Sequence, residues 1–311
     1  MTPVTKAYLQ LHASILLAGW TGIFGKLITL SPGLIVFWRI VIAGGLLWLV
    51  TLWRKTGERV APRDRAGLMA VGALLMLQWT LFYASIKASS VSIGVVAFSS
   101  IGFFTALLEP LFARRPLRFK EVGLSLLTIL GIGLIFGIDI DARAGIAFGT
   151  ASALGAALLA IFFKHYRTRY GTNACMRWQL AGGSVAALAA LPAYRAAMPP
   201  EALIPSAEDA ACLIVFATAC TLGMYMLQIQ ALEYISPFVV NLSYNLEPVY
   251  SILLAMLLFG EAREMGPAFA GGVALILASV ALQTFGALKE ARRAQRLAAG
   301  RRDTNPTERL S

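Results

Sequence analysis

Ten apolar stretches, each about as long as a lipid bilayer is thick, follow one another along the 311 residues of the chain. A helix needs about 20 apolar residues to cross the hydrocarbon core, because each residue advances the helix axis by about 1.5 Å. Only short polar connections separate the stretches. The pattern predicts an all-α polytopic membrane protein with ten transmembrane helices, near 8–28, 33–53, 66–86, 90–113, 119–138, 144–163, 172–193, 209–230, 235–259 and 266–287.

The composition excludes several other classes of protein. Only 14% of the residues are charged and the mean hydropathy is +0.71, which leaves too little polar surface for a water-soluble enzyme or a nucleic-acid-binding module. The sequence contains no HExxH, Walker A or nucleophile-elbow motif, so we expect no enzyme activity, no ATP-driven pump and neither a cofactor nor a metal. The three cysteines lack ligand spacing and are expected to be buried thiols.

The positive charges are unevenly distributed between the two sides of the predicted spans. Of the 27 Lys and Arg residues, 20 fall on the side of the N-terminus and five on the opposite side. Because cytoplasmic loops of membrane proteins contain the excess of Lys and Arg, this count predicts that both termini are cytoplasmic in a bacterial inner membrane. The first apolar stretch has no signal-peptide cleavage site and is expected to remain as a span.

The chain also contains a weak internal repeat. A shift of 138 residues superimposes three pairs of features: Phe24-x-Lys26 and Phe162-x-Lys164, Arg39 and Arg177, and Gly44-Gly45 and Gly182-Gly183. Each half then has five spans, and because five is odd the second half is inverted. We predict a first five-helix repeat over 1–143, a second over 144–287 and a basic cytoplasmic tail over 288–311. Inverted repeats are common in secondary transporters, which bind solute between the halves.

Three short pieces of the sequence resemble the EamA-type transporters of the drug/metabolite transporter superfamily: Trp20 to Lys26, Glu247-Pro248 and Gly260-Glu261. The resemblance covers about residues 8–287, although span four ends in Arg114-Arg115-Pro116 where the family has Gly-Glu. It implies a central cavity lined by spans one, three, four, six, eight and nine, and export of small metabolites. The aromatic amino-acid exporters of the family are the nearest analogy.

Three hypotheses for function follow. The first is a secondary transporter that exports small metabolites, with aromatic or apolar amino acids as the preferred class and with proton coupling. The second is a multidrug or lipid-linked-sugar carrier of the same fold. The third is a non-transporting membrane assembly or sensor subunit, which the lack of a soluble domain or long loop disfavours. The expected partners are a small-molecule solute and membrane lipid, and both a monomer and a homodimer remain open.

Glu247 is the residue that the sequence singles out for proton coupling. It lies twelve residues into the ninth span, where an ionised side chain costs about 2.5–3.5 kcal/mol. Pro248 follows it and lacks an N–H, so we expect a hinge there and a free carbonyl on Tyr244. A structural Glu paired with Lys26, Arg39 or a backbone group is the alternative.

Isolated amides and hydroxyls beside aromatic rings suit a mostly apolar solute that forms a few hydrogen bonds. On spans three, four, eight and nine these predicted solute-binding residues are Gln78, Trp79, Tyr83, Ser99, Phe103, Tyr225, Gln228, Asn241, Tyr244 and Asn245. Four of them, Tyr83, Phe103, Tyr225 and Tyr244, are predicted to surround one cavity.

The remaining intramembrane charges are assigned to the membrane surface. Glu109 lies five residues before Arg114 and is expected to pair locally. The four basic residues Lys26, Arg39, Lys164 and Arg177 are expected to extend from span ends towards the interface. The Gly19, Gly22 and Gly25 stripe next to Trp20 predicts close helix packing.

Overall fold

The computed structural model describes residues 3–55, 57–114, 116, 122–123, 126, 130–131, 134, 142–197, 203–232, 234, 243–261, 266–268, 270–275, 277–279, 281–282 and 285. These residues are mostly helical, and none of them belongs to a strand. The helices are α1 (Pro3–Leu27), α2 (Pro32–Arg54), α3 (Pro62–Ala88), α4 (Val91–Phe98), α5 (Ile101–Ala113), α6 (Arg143–Arg167), α7 (Thr172–Ala197), α8 (Ala207–Ala217), a π-helix (Thr218–Gly223), α9 (Met224–Leu232), a 3-10 helix (Tyr244–Leu246) and α10 (Glu247–Phe259).

Five helical segments of the described residues are long and apolar enough to cross a membrane: Pro32–Arg54, Pro62–Ala88, Val91–Phe112, Arg143–Arg167 and Ala207–Gln228. The helices α1 and α7 have 25 and 26 residues, but do not reach the same combination of length and apolarity. The predicted spans at 119–138 and 266–287 lie mostly outside the described residues. The chain is therefore a multi-pass helical membrane protein, and ten spans remain a prediction.

Three of the predicted spans are interrupted near their middle. In span four, Ser99 and Ser100 separate α4 from α5. In span eight the π-helix Thr218–Gly223 replaces α-helix, and in span nine the 3-10 helix Tyr244–Leu246 directly precedes α10. A hydropathy pattern does not reveal these breaks, because the residues on both sides remain apolar. Transporters commonly build solute sites from such discontinuous spans.

The helices α5 and α10 match each other closely. Each has 13 residues, each follows an interruption, and their first residues are 146 positions apart. Each also ends at a left-handed residue, Arg114 with φ 50° and Gly260 with φ 67°. This correspondence between spans four and nine supports two related halves.

Small residues allow the helices to pack closely, because backbones approach where no side chain intervenes. A Cβ atom on Gly19 would lie 3.0 Å from the Cβ of Tyr250 in α10, and one on Gly22 would lie 3.0 Å from Val91. A Cβ on Gly25 would lie 2.6 Å from the ring of Tyr83. The predicted packing role of this glycine stripe is confirmed.

Contacts between helix termini define two ends of the bundle. At one, the N–H of Thr29 after α1 donates to Asp209 of α8 over 2.8 Å. At the other, the N–H of Gly171 donates to Glu58 over 2.8 Å, which joins the connections before α7 and before α3. We call these the Lys26 end and the Lys164 end, after the basic residues near the ends of α1 and α6. The predicted orientation makes the Lys164 end cytoplasmic.

Candidate functional site

Arg39 of α2 is a charged residue in the apolar interior, with 3% of its surface exposed. Its guanidinium lies over the ring of Trp79 at 3.7 Å and over the ring of Phe216 at 4.1 Å. Its Nε donates to Oγ1 of Thr221 over 3.0 Å, and its Nη1 donates to the hydroxyl of Tyr83 over 2.5 Å. We call these five residues, from α2, α3, α8 and the π-helix, the Arg39 cluster.

Local helix geometry explains how the cluster is assembled. Trp79 and Tyr83 lie one turn apart and therefore share a face of α3. Phe216 lies just before the π-helix, and Oγ1 of Thr221 donates to the carbonyl of Phe216, five residues earlier, over 3.2 Å. A π-helical turn is wider than an α-helical turn and is often found at functional sites. Here it brings a ring and a hydroxyl to the same guanidinium.

The prediction that Arg39 extends to the membrane surface is wrong. The residue is the eighth of α2, about 10 Å along the helix axis from Pro32, and its guanidinium is enclosed by side chains. Two ring faces and two hydroxyl acceptors offset part of the cost of burying this charge. Arg177 is also buried, with 6% exposed, and its Nη2 donates to the carbonyl of Glu58 over 2.9 Å.

Glu247 is the first residue of α10 and lies directly after the 3-10 helix. Its carboxylate is close enough to Arg39 and Tyr83 to interact with them electrostatically. No ion pair joins Arg39 to Glu247, although both lie in the described part of the chain. Lys26, the other cation considered as its partner, pairs with Glu261 instead. Glu247 thus lies near the Arg39 cluster and forms no ion pair with Arg39.

Pro248 occupies the second position of α10, where a missing N–H leaves no helical hydrogen bond unmade. The expected free carbonyl on Tyr244 is wrong, because the N–H of Glu247 donates to it. The interruption of span nine therefore lies at the 3-10 helix, one turn before the proline. A hinge at Pro248 remains a prediction.

The structure places the predicted solute-binding residues in several neighbourhoods. Trp79 and Tyr83 lie together in the Arg39 cluster. Gln78, on the adjacent face of α3, donates to Oγ of Ser152 in α6 over 3.1 Å, and Ser152 donates back to the carbonyl of Gln78 over 2.9 Å. The amide of Gln78 thus holds two helices together.

The other described residues of this set lie in the break after α4, in α5, in α9 and in the 3-10 helix. The hydroxyl of Tyr244 is hydrogen-bonded to Ser14 of α1. The hydroxyl of Tyr225 is buried and has no partner among the described residues, so it is a polar group still able to bind. The side chain of Ser99 donates to the carbonyl of Val95 over 3.0 Å, and Phe103 packs against Phe104.

Gln228 is partly buried, whereas the side chain of Asn245 and all of Asn241 lie outside the described residues. A cavity shared by Tyr83, Phe103, Tyr225 and Tyr244 remains a prediction.

Sequence reasoning missed three members of the cluster: Arg39, Phe216 and Thr221. The available signal was that an arginine eight residues into a 23-residue apolar helix is too deep for a span end. The sequence pattern indicates Trp79 and Tyr83 as a pair on one face of α3, but the cation that they contact, Arg39, lies on α2. The position of Thr221 depends on a π-helix, which side-chain periodicity does not indicate.

Glu261 forms a second charged site at the Lys26 end. Its carboxylate accepts hydrogen bonds from Nζ of Lys26 over 2.9 Å, from the N–H groups of Val91 and Ser92 over 3.1 and 3.0 Å, and from the hydroxyl of Ser92 over 2.5 Å. It therefore caps the N-terminus of α4. Burial alone would raise the pKa of this carboxyl, but the hydrogen bonds from Ser92 and Lys26 outweigh it and hold the pKa below its usual value.

A pocket of about 480 Å³ opens between α5 and α6 at the Lys164 end. Glu109 and Lys164 lie on its wall and form an ion pair of 2.9 Å. Glu109 thus pairs with a residue of another helix, whereas the sequence predicts a local partner. Phe112 and Phe162 pack edge to face beside the pocket, with ring centres 5.3 Å apart.

The sequence matches the model of the EamA-like transporter family twice, over residues 5–137 and 143–288. The chain belongs to the EamA-like transporter family. No curated protein sequence matches it. A crystal structure of a protein with 20% sequence identity superimposes with a TM-score of 0.60, over 91% of this chain and 98% of the other, which shows a shared fold. Members of the EamA family are membrane transporters, and the two matches account for two repeats in this one.

Proposed function

We propose that this EamA-family protein is a secondary transporter that exports small metabolites through a central cavity between two inverted five-helix repeats. Amino acids with aromatic or apolar side chains are the preferred solute class. The repeats span 1–143 and 144–287, and both termini, with the tail 288–311, lie in the cytoplasm of a bacterial inner membrane.

The observation that carries the proposal is the pair of opposite charges at Arg39 and Glu247. Both lie within predicted spans, they interact electrostatically, and no ion pair joins these two described residues. Charges inside a bilayer are costly and usually mark a solute or proton path. An amino acid has an ammonium and a carboxylate of its own, and the rings of the Arg39 cluster suit an apolar side chain.

Proton exchange at Glu247 couples the pH gradient to solute movement. The carboxylate begins a helix after an interruption, so a change in its charge acts at a point where the backbone is already irregular. In vesicles, Glu247→Gln is expected to retain solute counterflow and to lose acceleration by a pH gradient. Glu208→Gln, an exposed carboxylate in the first turn of α8, is the matched control and is expected to retain both. A normal gradient response in Glu247→Gln would contradict proton coupling.

The solute class is tested without choosing a solute beforehand. Vesicles that contain a mixed pool of metabolites, cationic drugs and a polyprenyl-linked sugar are expected to release amino acids, with aromatic and apolar ones released fastest. Release of cationic drugs alone would favour a multidrug carrier, and movement of a polyprenyl-linked sugar would favour a lipid-linked-sugar carrier. The absence of any release, from protein that folds normally, would favour the non-transporting assembly or sensor subunit.

The orientation is tested with single cysteines at two exposed positions. Arg59 lies between α2 and α3, and Ile204, with 76% of its surface exposed, lies before α8. An impermeant thiol reagent added outside intact cells is expected to label the Ile204→Cys variant and not the Arg59→Cys variant. The reverse labelling would invert the topology.

A further inference from the structure

Two ion pairs occupy related places at opposite ends of the bundle. Lys26, near the end of α1, pairs with Glu261 after α10, and Lys164, near the end of α6, pairs with Glu109 of α5, each over 2.9 Å. The helices α1 and α6 begin the two halves, whereas α10 and α5 belong to the fourth span of the opposite half. Each pair therefore joins the first span of one half to the fourth span of the other.

The two pairs differ in how firmly their charges are held. Glu261 is 3% exposed and also accepts hydrogen bonds from the start of α4. Lys164 and Glu109 are 71% and 43% exposed. An exposed ion pair contributes about 0–1 kcal/mol, so its charges can change partners at little cost.

The pocket lies beside the exposed pair. Its volume of about 480 Å³ is within the range that small-molecule sites occupy. Apolar groups dominate its lining, where Phe112 and Phe162 provide an aromatic surface, and Thr105 and His165 add polar groups. A cation and an anion next to an aromatic surface match the three parts of an apolar amino acid.

We propose that this pocket is the entrance site of the transport path at the Lys164 end, and that it binds a zwitterionic amino acid with an aromatic or apolar side chain. The solute's carboxylate pairs with Lys164 and its ammonium pairs with Glu109. Lys164 and Glu109 thereby separate from each other and pair with the charges of the solute, so neither is left unpaired. This inference rests on the proposed export of amino acids.

Thiol labelling tests occupancy of the pocket in the full-length protein in vesicles. Thr105→Cys provides a reporter on the pocket wall, in a background where Cys175, Cys212 and Cys220 are replaced by serine or alanine. Saturating L-phenylalanine is expected to slow labelling about fivefold or more. Phenylethylamine lacks the carboxylate and 3-phenylpropionate lacks the ammonium, so at equal concentration each is expected to slow it less than twofold. Ile204→Cys, before α8, is the control whose labelling L-phenylalanine leaves unchanged.

Transport kinetics test the two charges. Glu109→Gln and Lys164→Gln are each expected to raise the KM for L-phenylalanine about tenfold and to leave the maximal rate within about twofold, because each removes one charged contact with the solute. The double variant Glu109→Lys with Lys164→Glu retains an ion pair but exchanges its charges. A purely structural pair predicts that this variant restores the KM, whereas solute recognition predicts that the KM stays raised.

The outcomes separate this site from the proposed function. Suppose that L-phenylalanine is transported but does not protect the Thr105→Cys thiol, and that both single charge variants have an unchanged KM. This result would overturn the entrance site and leave the exporter intact. Protection of that thiol without transport would leave the site and overturn the exporter. Phosphatidylethanolamine is also zwitterionic, with an ammonium and a phosphate, so labelling is compared in vesicles with and without it. Protection that requires this lipid, with no further slowing by L-phenylalanine, would overturn the assignment to a solute.

Discussion

The dipeptide Glu-Pro occurs twice in this protein, at Glu109-Pro110 in α5 and at Glu247-Pro248 in α10, and the two copies do different things. Glu247 begins its helix and lies near the buried Arg39. Glu109 is the ninth residue of its helix and pairs with the exposed Lys164. The dipeptides lie 138 residues apart, which is the shift that aligns the first two spans of the halves, but α5 and α10 begin 146 residues apart, so the copies do not occupy equivalent positions in these helices. What repeats is an interruption followed by a 13-residue helix, and the position of a carboxylate relative to that interruption decides its environment.

The largest effect is expected from removing the cation that faces Glu247. Arg39→Gln should lower the maximal rate of amino-acid transport about 100-fold, because it leaves Glu247 without an opposite charge in a medium of low polarity. Lys164→Gln, which removes the cation facing Glu109, should change KM and leave the maximal rate nearly intact. The measurement is initial solute uptake into vesicles over a range of concentrations. Equal losses of maximal rate in both variants would mean that the two carboxylates are equivalent after all.

A change in stability is expected from the carboxylate that follows α10. Glu261→Gln should destabilise the protein by about 1–2 kcal/mol, because it removes the charge of an ion pair and of a helix cap. Glu109→Gln removes an exposed pair and should cost less than about 0.5 kcal/mol. The midpoint of thermal unfolding in detergent measures both. Equal shifts of the unfolding midpoint in the two variants would contradict the conclusion that Glu261 is held more firmly than Glu109.

The pH dependence of stability tests how the charge of Glu261 contributes. The pKa of Glu261 is held below its usual value, so its contribution is present above the pKa of the unfolded chain and is lost as the pH falls through the folded pKa. The unfolding midpoint of Glu261→Gln should therefore approach that of the wild type at acidic pH and diverge from it near neutrality. A constant difference across that range would exclude this linkage.

The residues that end the two helices should respond in opposite directions. Gly260 has φ 67°, so Gly260→Ala should cost about 1 kcal/mol, because a Cβ is strained in the left-handed region. Arg114 has φ 50° and already bears that strain, so Arg114→Gly should stabilise by a similar amount. Chemical unfolding in detergent compares them. The same sign for both would show that the end of α5 is not a counterpart of the end of α10.

The smallest effect is expected at the prolines. Pro110 lies inside α5, so Pro110→Ala should restore one helical hydrogen bond and stabilise by about 0.5–1 kcal/mol. Pro248 lies in the first turn, so Pro248→Ala should be neutral or destabilise by up to about 0.5 kcal/mol through greater freedom of the unfolded chain. Unfolding of the two variants side by side is the measurement, and stabilisation by Pro248→Ala would contradict the assignment of the break to the 3-10 helix.

The sequence predicts the helical regions of the described residues, because bilayer thickness imposes the length of a span. The spacing of Trp79 and Tyr83 on one face of α3 also indicates that these two rings act together. It does not predict the pairing of Gln78 with Ser152, since that requires the arrangement of α3 against α6. The depth of Arg39 in α2 argues against a position at the surface, but the residues that enclose its guanidinium follow only from the packing of α3 and α8 against α2. The π-helix that positions Thr221 is formed by backbone hydrogen bonds between residues five apart, and no apolar pattern encodes it.

The hydrogen bonds from α4 to Glu261 have a mechanical consequence. In the chain, α4 belongs to the first half, but its N-terminus is fastened to the end of α10 in the second. If one half of the protein rocks against the other, α4 would travel with α10, and α5 would travel with α6 of the second half, to which the Glu109–Lys164 ion pair joins it. Span four would then move with the second half, and Ser89-Ser90, where α3 gives way to α4, would be the joint that bends.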